Sequence, residues 1–188
     1  MRVIAGAARR MALTAPKGQA TRPTADRVKE NLFNIIADEV PGARFLDLFC
    51  GSGAIGIEAL SRGAAKAVFV DNARDAIAAT QANLAHTRLV DKADVRLMCA
   101  VSAVSQLERE GREFDIIFLD PPYGSDLLNR TLESLGKNGI LSPQGLLVVE
   151  CPDDEPTPEA GPLVLYDTRE YGAARLMFYR RNGLGDAV

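Results

Sequence analysis

The stretch FLDLFCGSGAIGIEAL, residues 45–60, runs from a short apolar segment through a glycine-rich turn into a second apolar segment. Gly51, Gly53 and Gly56 have the spacing G-x-G-x-x-G, in which glycine lets the backbone turn tightly and come close to a ligand. A strand, such a turn and a helix are the cofactor-binding unit of many α/β proteins. The stretch therefore predicts a ligand-binding turn between a strand and a helix.

Short apolar strands alternate with amphipathic helices along most of the chain. Strand patterns occur at 43–49, 66–71, 94–99, 114–120 and 145–151, and helical patterns at 54–63, 73–87, 101–111 and 127–139. After an acidic, proline-rich loop, residues 163–181 contain two β-rich runs that turn at Tyr171-Gly172. The pattern predicts an α/β fold with a doubly wound, mostly parallel, seven-stranded Rossmann-like sheet and a C-terminal antiparallel hairpin.

The beginning of the chain differs in pattern and in charge. Residues 2–16 hold two apolar runs around a turn, which predicts a small β-hairpin, and a helix with Thr24 as its N-cap is expected to follow. Residues 1–30 carry seven cations against two acids, in a chain whose net charge is -3. This basic segment is either a solvated terminus or a contact for nucleic acid.

Two aspartates indicate which cofactor the glycine turn suits. Asp47 lies just ahead of the turn, where it would repel the pyrophosphate of NAD and attract the sulfonium and amino groups of S-adenosylmethionine. Asp71 ends the next strand, where a carboxylate can accept both hydroxyls of a ribose in either cofactor. The residues favour S-adenosylmethionine over NAD, and a glycine turn without a ligand is the third alternative.

A second chemical signal is FLDPPY, residues 118–123. Two consecutive prolines stiffen the backbone and have no amide hydrogens, so the carbonyls at this strand end are free to accept hydrogen bonds. Asp120 adds a carboxylate and Tyr123 adds a flat aromatic face. These groups are suited to hold a planar, amine-bearing partner such as a nucleobase.

These residues carry a family resemblance. DLFCGSGAIG (47–56) together with LDPPY (119–123) resembles the class I S-adenosylmethionine-dependent methyltransferases that modify exocyclic amines of nucleobases. RPTADRVKENLFNII (22–36) and REYGAARLMFY (169–179) narrow the likeness further. Nearly the whole chain resembles the RsmD family, bacterial methyltransferases that modify N2 of guanine 966 in 16S ribosomal RNA.

The resemblance implies roles for individual residues. The implied cofactor-binding residues are Asp47, Gly51, Ser52, Gly53, Gly56, Asp71, Asn72 and Ala100, with Asp47 near the methionine amine. The implied catalytic residues are Asp120, Pro121, Pro122 and Tyr123. An enzyme that acts on ribosomal RNA must hold phosphates, and only the N-terminal segment has the charge for it, so the expected RNA-binding residues are Arg9, Arg10, Lys17, Arg22 and Arg27. Related enzymes often have an acid or amide where this chain has Cys99-Ala100, so the adenine is expected to contact backbone amides there.

We expect a basic N-terminal arm at residues 1–24, a methyltransferase domain at 25–182 and a frayed tail at 183–188. The expected partner is 16S ribosomal RNA in an assembling small subunit, and the enzyme is expected to be monomeric and cytoplasmic. No apolar run approaches the roughly 20 residues that cross a bilayer. The three cysteines are scattered, which predicts free thiols and no metal site.

Other functions remain open at this point. A DNA or RNA adenine N6 methyltransferase, or a protein glutamine methyltransferase, could use the same carboxylate-Pro-Pro-aromatic corner, although these more often have asparagine at the position of Asp120. An NAD-linked oxidoreductase is disfavoured by Asp47 and by the lack of an evident proton-transfer histidine or lysine. A noncatalytic RNA-binding protein would leave the strand-end acids unexplained.

Overall fold

In the computed structural model of the protein, the described residues are 1–16, 23–122 and 126–181. The helices are α1 (Pro23–Ile35), α2 (Ala54–Ser61), α3 (Arg74–Thr87), α4 (Ala100–Arg109) and α5 (Leu127–Lys137). A short 3₁₀ helix at Val90–Lys92 was not predicted. The strands are β1 (Arg44–Leu48), β2 (Lys66–Asp71), β3 (Ala93–Leu97), β4 (Phe114–Leu119), β5 (Leu141–Pro152), β6 (Leu163–Tyr171) and β7 (Ala174–Arg181).

The strands form one sheet in the order β3-β2-β1-β4-β5-β7-β6. β1 with β2, β2 with β3 and β4 with β5 are parallel pairs, and β7 pairs antiparallel with both β5 and β6. A parallel pair requires a crossover connection, and a helix supplies it in each of these three cases. The predicted fold class, a mostly parallel seven-stranded α/β sheet with a C-terminal antiparallel hairpin, is confirmed.

The chain divides into two compact units, Met1–Cys99 and Ala100–Val188. In the first unit, β2 lies between β1 and β3, with Leu46 of β1 opposite Val68 of β2. Helix α2 packs on β1 and β2, and helix α3 packs on β2 and β3. Because β1 and β2 are parallel neighbours, the glycine turn after β1 and Asp71 at the end of β2 lie at the same edge of the sheet.

In the second unit, β4 pairs in parallel with β5, and Leu119 lies opposite Val149. β5 also pairs with β7, which is joined to β6 through a tight turn at Gly172, as predicted. Helices α4 and α5 contact each other. The register places Asp120, the first residue after β4, beside Glu150 near the carboxyl end of β5.

The first residues of the chain are folded onto the first unit. Their two runs are joined by one antiparallel bridge between Arg2 and Ala12, so the predicted β-hairpin is an antiparallel pairing without regular strands. A hydrogen bond from Val3 N to Met11 O at 3.0 Å closes the pairing. The buried apolar residues of this segment are Val3, Ala8 and Leu13. Their burial shows that the segment is docked rather than a free terminus.

Helix α1 begins at Pro23, so Thr24 lies inside the helix and the predicted N-cap is wrong. Proline is favoured at the first helical position because that N–H has no partner within the helix. Residues 17–22 and 182–188 lie outside the described residues, so the predicted limits of the arm, the methyltransferase domain and the tail stay predictions.

Glu58 of α2 holds the docked segment through a fully buried carboxylate. Its oxygens accept hydrogen bonds from Ile4 N at 2.8 Å and Ala5 N at 3.0 Å. The Arg62 Nε donates to Oε1 at 2.8 Å, and the Lys29 ammonium lies 3.5 Å from Oε2. Lys29 is only 3% exposed; burial lowers its pKa and the charge of Glu58 opposes that shift. Lys29 is therefore an internal cation, although the sequence counted it with the basic surface.

Replacing Glu58 with glutamine should lower the free energy of unfolding by about 3 kcal/mol, because the buried Lys29 loses the nearer of the two anions, Glu58 and Asp26, that offset its desolvation. Urea unfolding of the full chain measures this change. The matched control is Glu133→Gln, which removes an exposed pair with Lys137 at 2.6 Å and should change stability very little. Equal losses in the two variants would contradict a special role for the buried cluster.

Candidate active site

Asp47 lies inside β1, and its carboxylate points at the helix that follows the glycine turn. The residue is 2% exposed, and its Oδ2 accepts a hydrogen bond from Gly56 N at 2.8 Å. Gly56 belongs to the first turn of α2, where N–H groups without helical partners stabilise a nearby anion. Asp47 therefore braces the turn from within. The negative charge at this place was predicted from the sequence, whereas the hydrogen bond to Gly56 N was not.

The glycines of the turn meet different needs. Gly53 has a φ of 76°, a left-handed conformation that glycine adopts without steric cost. A Cβ on Gly56 would lie 2.3 Å from the ring of Phe69 in β2. Gly56 is therefore needed for the close packing of α2 on the sheet, a role that differs from the tight turning and ligand approach predicted for the glycines from the sequence.

Asp71, the last residue of β2, uses both carboxylate oxygens to hold backbone. Oδ2 accepts from Gly51 N and Oδ1 accepts from Ala73 N, each at 2.9 Å. Asp71 thus joins the glycine turn to the turn that leads into α3. Each carboxylate oxygen can accept a further hydrogen bond, so these contacts leave capacity for two ribose hydroxyls. Asn72, the next residue, is exposed at the same edge.

Two buried polar side chains of α3 also hold the glycine turn, and the sequence analysis missed both. Thr80, which is 0% exposed, donates from Oγ1 to Gly51 O at 3.0 Å. Asn83, which is 2% exposed, donates from Nδ2 to Ser52 O at 2.9 Å. A sequence pattern could have identified them: two polar residues three positions apart, on the face of the helix that is expected to be buried. The turn is consequently held by β1, β2 and α3 together.

Asp120 follows β4 directly, at the carboxyl end of that strand. Its side chain reaches solvent, yet the surrounding protein removes part of its hydration and raises the pKa of the carboxyl group to about 6. Pro121 is buried and Pro122 is exposed, and Tyr123 lies outside the described residues. Asp120 is therefore an accessible carboxylate that is ionised at neutral pH and gains a proton in mild acid.

Glu150, which the sequence analysis did not single out, lies beside Asp120 in the register of β4 and β5. Burial, and in second place the charge of Asp120, raises the pKa of Glu150 to about 8. Two neighbouring carboxyl groups at a strand end resist double ionisation, so the pair holds one proton at neutral pH. The sequence could not show this neighbour because thirty residues separate the two positions.

The remaining predicted site residues are less informative. Ala100 begins α4 and is 4% exposed. All three cysteines are free thiols, as predicted. Within residues 1–16, 23–122 and 126–181, no group of three or more His, Cys, Asp or Glu is placed to hold a metal ion. In the same ranges no helix is long and apolar enough to span a membrane.

Of the five cations predicted to contact RNA, Arg9, Arg10 and Arg27 are exposed. Lys17 and Arg22 lie outside the described residues. Arg9 and Arg10 occupy the turn of the docked segment, where Arg10 has a φ of 71° and donates through its backbone N to Val3 O at 2.9 Å. The two charges are therefore presented from a fixed backbone.

Comparison with known proteins places this arrangement in a family. The family model described as Conserved hypothetical protein 95 matches residues 1–180. The chain is 39% identical over 184 residues to YlbH of Bacillus subtilis strain 168, a candidate rRNA methyltransferase, covering 97% of this chain and 100% of YlbH. It is 34% identical over 189 residues to ribosomal RNA small subunit methyltransferase D of Escherichia coli K12, covering 100% and 93% of the two chains.

Solved structures agree with this assignment. The Escherichia coli protein yhhF, a candidate methyltransferase, matches with a TM-score of 0.83 and 37% identity over 96% of this chain and 97% of that one. SMU.776, a candidate methyltransferase solved in complex with SAH, shares the fold with a TM-score of 0.67 at 19% identity, over 85% of this chain and 50% of that one. The chain belongs to the Conserved hypothetical protein 95 family, which is the RsmD family that its motifs resemble.

Proposed function

We propose that the protein transfers a methyl group from S-adenosylmethionine to the N2 amine of a guanine in 16S ribosomal RNA, during assembly of the small subunit. Guanine 966 is the position that the family resemblance implies. The observation that carries the proposal is Asp120, an accessible carboxylate at a strand end that is followed at once by two prolines. The name of the Escherichia coli relative supports small-subunit ribosomal RNA as the substrate class.

The first unit offers a donor set that fits S-adenosylmethionine. Residues 45–56 contain an acid, Asp47, and no lysine or arginine, which suits a cationic ligand better than a pyrophosphate. Asp71 would accept the ribose hydroxyls, and the backbone from Gly51 to Gly53 would line the ligand. When bound, the cofactor supplies an electrophilic methyl group on a sulfonium sulfur. Asp47 would act mainly by keeping the turn in shape, since its carboxylate holds Gly56 N.

Asp120 and the Pro121 carbonyl would act on the nucleobase. The lone pair of guanine N2 is delocalised into the ring and is a weak nucleophile. Two acceptors on its N–H bonds would push electron density toward nitrogen and fix the direction of the lone pair, so orientation supplies much of the acceleration. After methylation N2 is strongly acidic, and its proton can pass to Asp120 or to water.

Glu150 helps to define the charge state of this corner. Because its pKa lies near 8, Glu150 is protonated at neutral pH and leaves Asp120 as the anion of the pair. Tyr123 would stack on a guanine that has left its neighbours, which offsets part of an unstacking cost of a few kcal/mol.

The product identifies the reaction. With labelled S-adenosylmethionine, the protein should methylate 16S RNA or partly assembled small subunits, and nucleoside analysis should give N2-methylguanosine. Asp120→Ala should abolish the transfer while leaving the affinity for S-adenosylmethionine, measured by calorimetry, nearly unchanged. Methylated adenosine as the product, or full activity in Asp120→Ala, would overturn the proposed chemistry.

The rate of methyl transfer should fall as the pH drops through about 6, because Asp120 then gains a proton and becomes a weaker acceptor. Asp120→Asn keeps an oxygen acceptor that does not titrate, so its lower rate should be flat across this range. Single-turnover rates between pH 5 and pH 7 measure the effect. The control Glu150→Gln should keep the wild-type profile here, because Glu150 holds its proton until about pH 8. An inflection near pH 6 that survives in Asp120→Asn would assign the titration to another group.

Replacing Arg9 and Arg10 with alanine should weaken RNA binding and flatten its salt dependence. Each lost phosphate contact lowers the slope of log affinity against log salt by about 0.7 to 0.9. The control replaces Lys66 and Lys92, two exposed cations elsewhere in the first unit. Affinity for S-adenosylmethionine should not change in either variant. If both double variants bind RNA equally well, Arg9 and Arg10 form no specific RNA contact.

A further inference from the structure

Asn83 of α3 makes contacts that the proposed reaction does not explain. Its Oδ1 accepts a hydrogen bond from Thr14 N at 2.9 Å, and its Nδ2 donates to Thr14 O at 2.9 Å. The same Nδ2 donates its second hydrogen to Ser52 O at 2.9 Å. Asn83 thus pairs with the backbone of Thr14 as a neighbouring strand would, and at the same time holds the glycine turn.

The chemistry of the amide explains why this position is specific. An asparagine side chain offers two N–H donors and one carbonyl acceptor, and all three groups are used here. Aspartate has no donor for Thr14 O and Ser52 O, and an apolar side chain would leave three backbone groups without a partner. Since Asn83 is 2% exposed, water cannot easily replace it.

A second contact joins the same two segments. The Ser52 Oγ lies 3.7 Å from the Met1 sulfur, and Leu13 N donates to Met1 O at 3.0 Å. At one end of the docked segment, residues 1–14, Met1 therefore contacts Ser52 directly, and at the other end Thr14 is joined to Ser52 through Asn83. The middle of the segment rests on α2, where Ala7 N donates to Ser61 O at 2.8 Å. The turn that carries Arg9 and Arg10 thus belongs to an element whose base is fixed by the glycine turn.

We propose that Asn83 is a positioning residue that couples cofactor binding at the glycine turn to the docking of residues 1–14. The proposal rests on the proposed function, because it takes the glycine turn as the place where S-adenosylmethionine binds. A cofactor that orders Ser52 also orders Asn83, and Asn83 in turn holds Thr14. Coupling between two sites is reciprocal, so a docked segment also strengthens cofactor binding by the same factor.

The functional consequence concerns the order of binding. The cofactor-loaded chain holds Arg9 and Arg10 in a more fixed position than the empty chain. The docked segment therefore loses less conformational entropy when RNA binds after the cofactor. The coupling makes the loaded enzyme the form that engages RNA.

The test compares three chains of full length: wild type, Asn83→Ala and Thr87→Val. Thr87 is a buried residue of the same helix, and its hydroxyl donates within α3, to Asn83 O at 2.8 Å with Leu84 O at 3.2 Å. Calorimetry gives the affinity for S-adenosylmethionine, and hydrogen exchange gives the protection of the Thr14 amide with and without it. If the variants act only by lowering the stability of α3, Asn83→Ala and Thr87→Val should change the cofactor affinity and the exchange of the Thr14 amide equally.

In the wild type, saturating S-adenosylmethionine should slow exchange at Thr14 about 10-fold, within the usual range of allosteric coupling. Asn83→Ala should bind the cofactor about 10-fold more weakly, and the cofactor should no longer protect Thr14. Thr87→Val should keep both properties. If Asn83→Ala folds poorly, Thr14→Pro removes the N–H that donates to Asn83 Oδ1, and its affinity for S-adenosylmethionine should likewise fall about 10-fold.

The outcomes separate the two proposals. A wild-type chain that binds S-adenosylmethionine without slowing exchange at Thr14 overturns the coupling and leaves the proposed function intact. Equal effects in Asn83→Ala and Thr87→Val overturn the positioning role of Asn83. A wild-type chain that does not bind S-adenosylmethionine overturns the proposed function, and the coupling with it.

Discussion

Carboxylates that accept backbone N–H groups hold the loops of the first unit in place. Asp47 captures Gly56, Asp71 captures Gly51 together with Ala73, and Glu58 captures Ile4 together with Ala5. The N–H groups of a loop lack the regular backbone acceptors that a strand or a helix provides. Each hydrogen bond to a carboxylate therefore removes the free-energy cost of a buried N–H group without an acceptor, a cost that would otherwise favour unfolding of the loop. A charged acceptor makes these bonds stronger than neutral ones. The glycine turn is therefore preorganised by anions, and this also makes the turn negative.

The sequence predicted those features that depend on local pattern. The order and type of the strands and helices follow apolar periodicity, and the turn follows from glycine spacing, so both were predicted from short windows. Element limits were less accurate: the strand predicted at 145–151 is β5, which runs from Leu141 to Pro152. The missed features depend on contacts between distant residues. Asn83 lies 69 positions from its partner Thr14. Lys29 lies 29 positions from Glu58, and the contact with Glu58 is made by a buried Lys29, a residue that the sequence had grouped with the basic surface. The apolar periodicity of the sequence does not distinguish a buried Asn or Lys from an exposed one. Whether such a residue is buried depends on the polar partner that it meets in the folded chain.

The same limit applies to the Asp-Pro-Pro corner of the second unit, residues 120–122. The prolines and Asp120 form a contiguous sequence signal, and the structure puts Asp120 at the end of β4 as expected. The charge state of Asp120 depends on two strands, because the pairing register of β4 and β5 brings Glu150 next to Asp120. A carboxylate whose neighbour holds a proton keeps its acceptor capacity at neutral pH. It can then orient an amine without acting as a strong base, which is what a poorly nucleophilic nitrogen requires.

The distribution of positive charge follows from which cations the fold leaves outside. Lys29 and Arg62 are engaged by Glu58, whereas the docked segment exposes Arg2, Arg9 and Arg10, and Arg9 and Arg10 lie together at its turn. The segment comes so close to α2 that a Cβ on Gly6 would lie 1.8 Å from Ser61 O. Two arginines on such a fixed backbone lose less freedom on binding than the same residues on a solvated tail. Under the proposed function, their contribution to RNA binding would be to place a particular phosphate, and a base at a set distance from it, rather than to attract RNA in general.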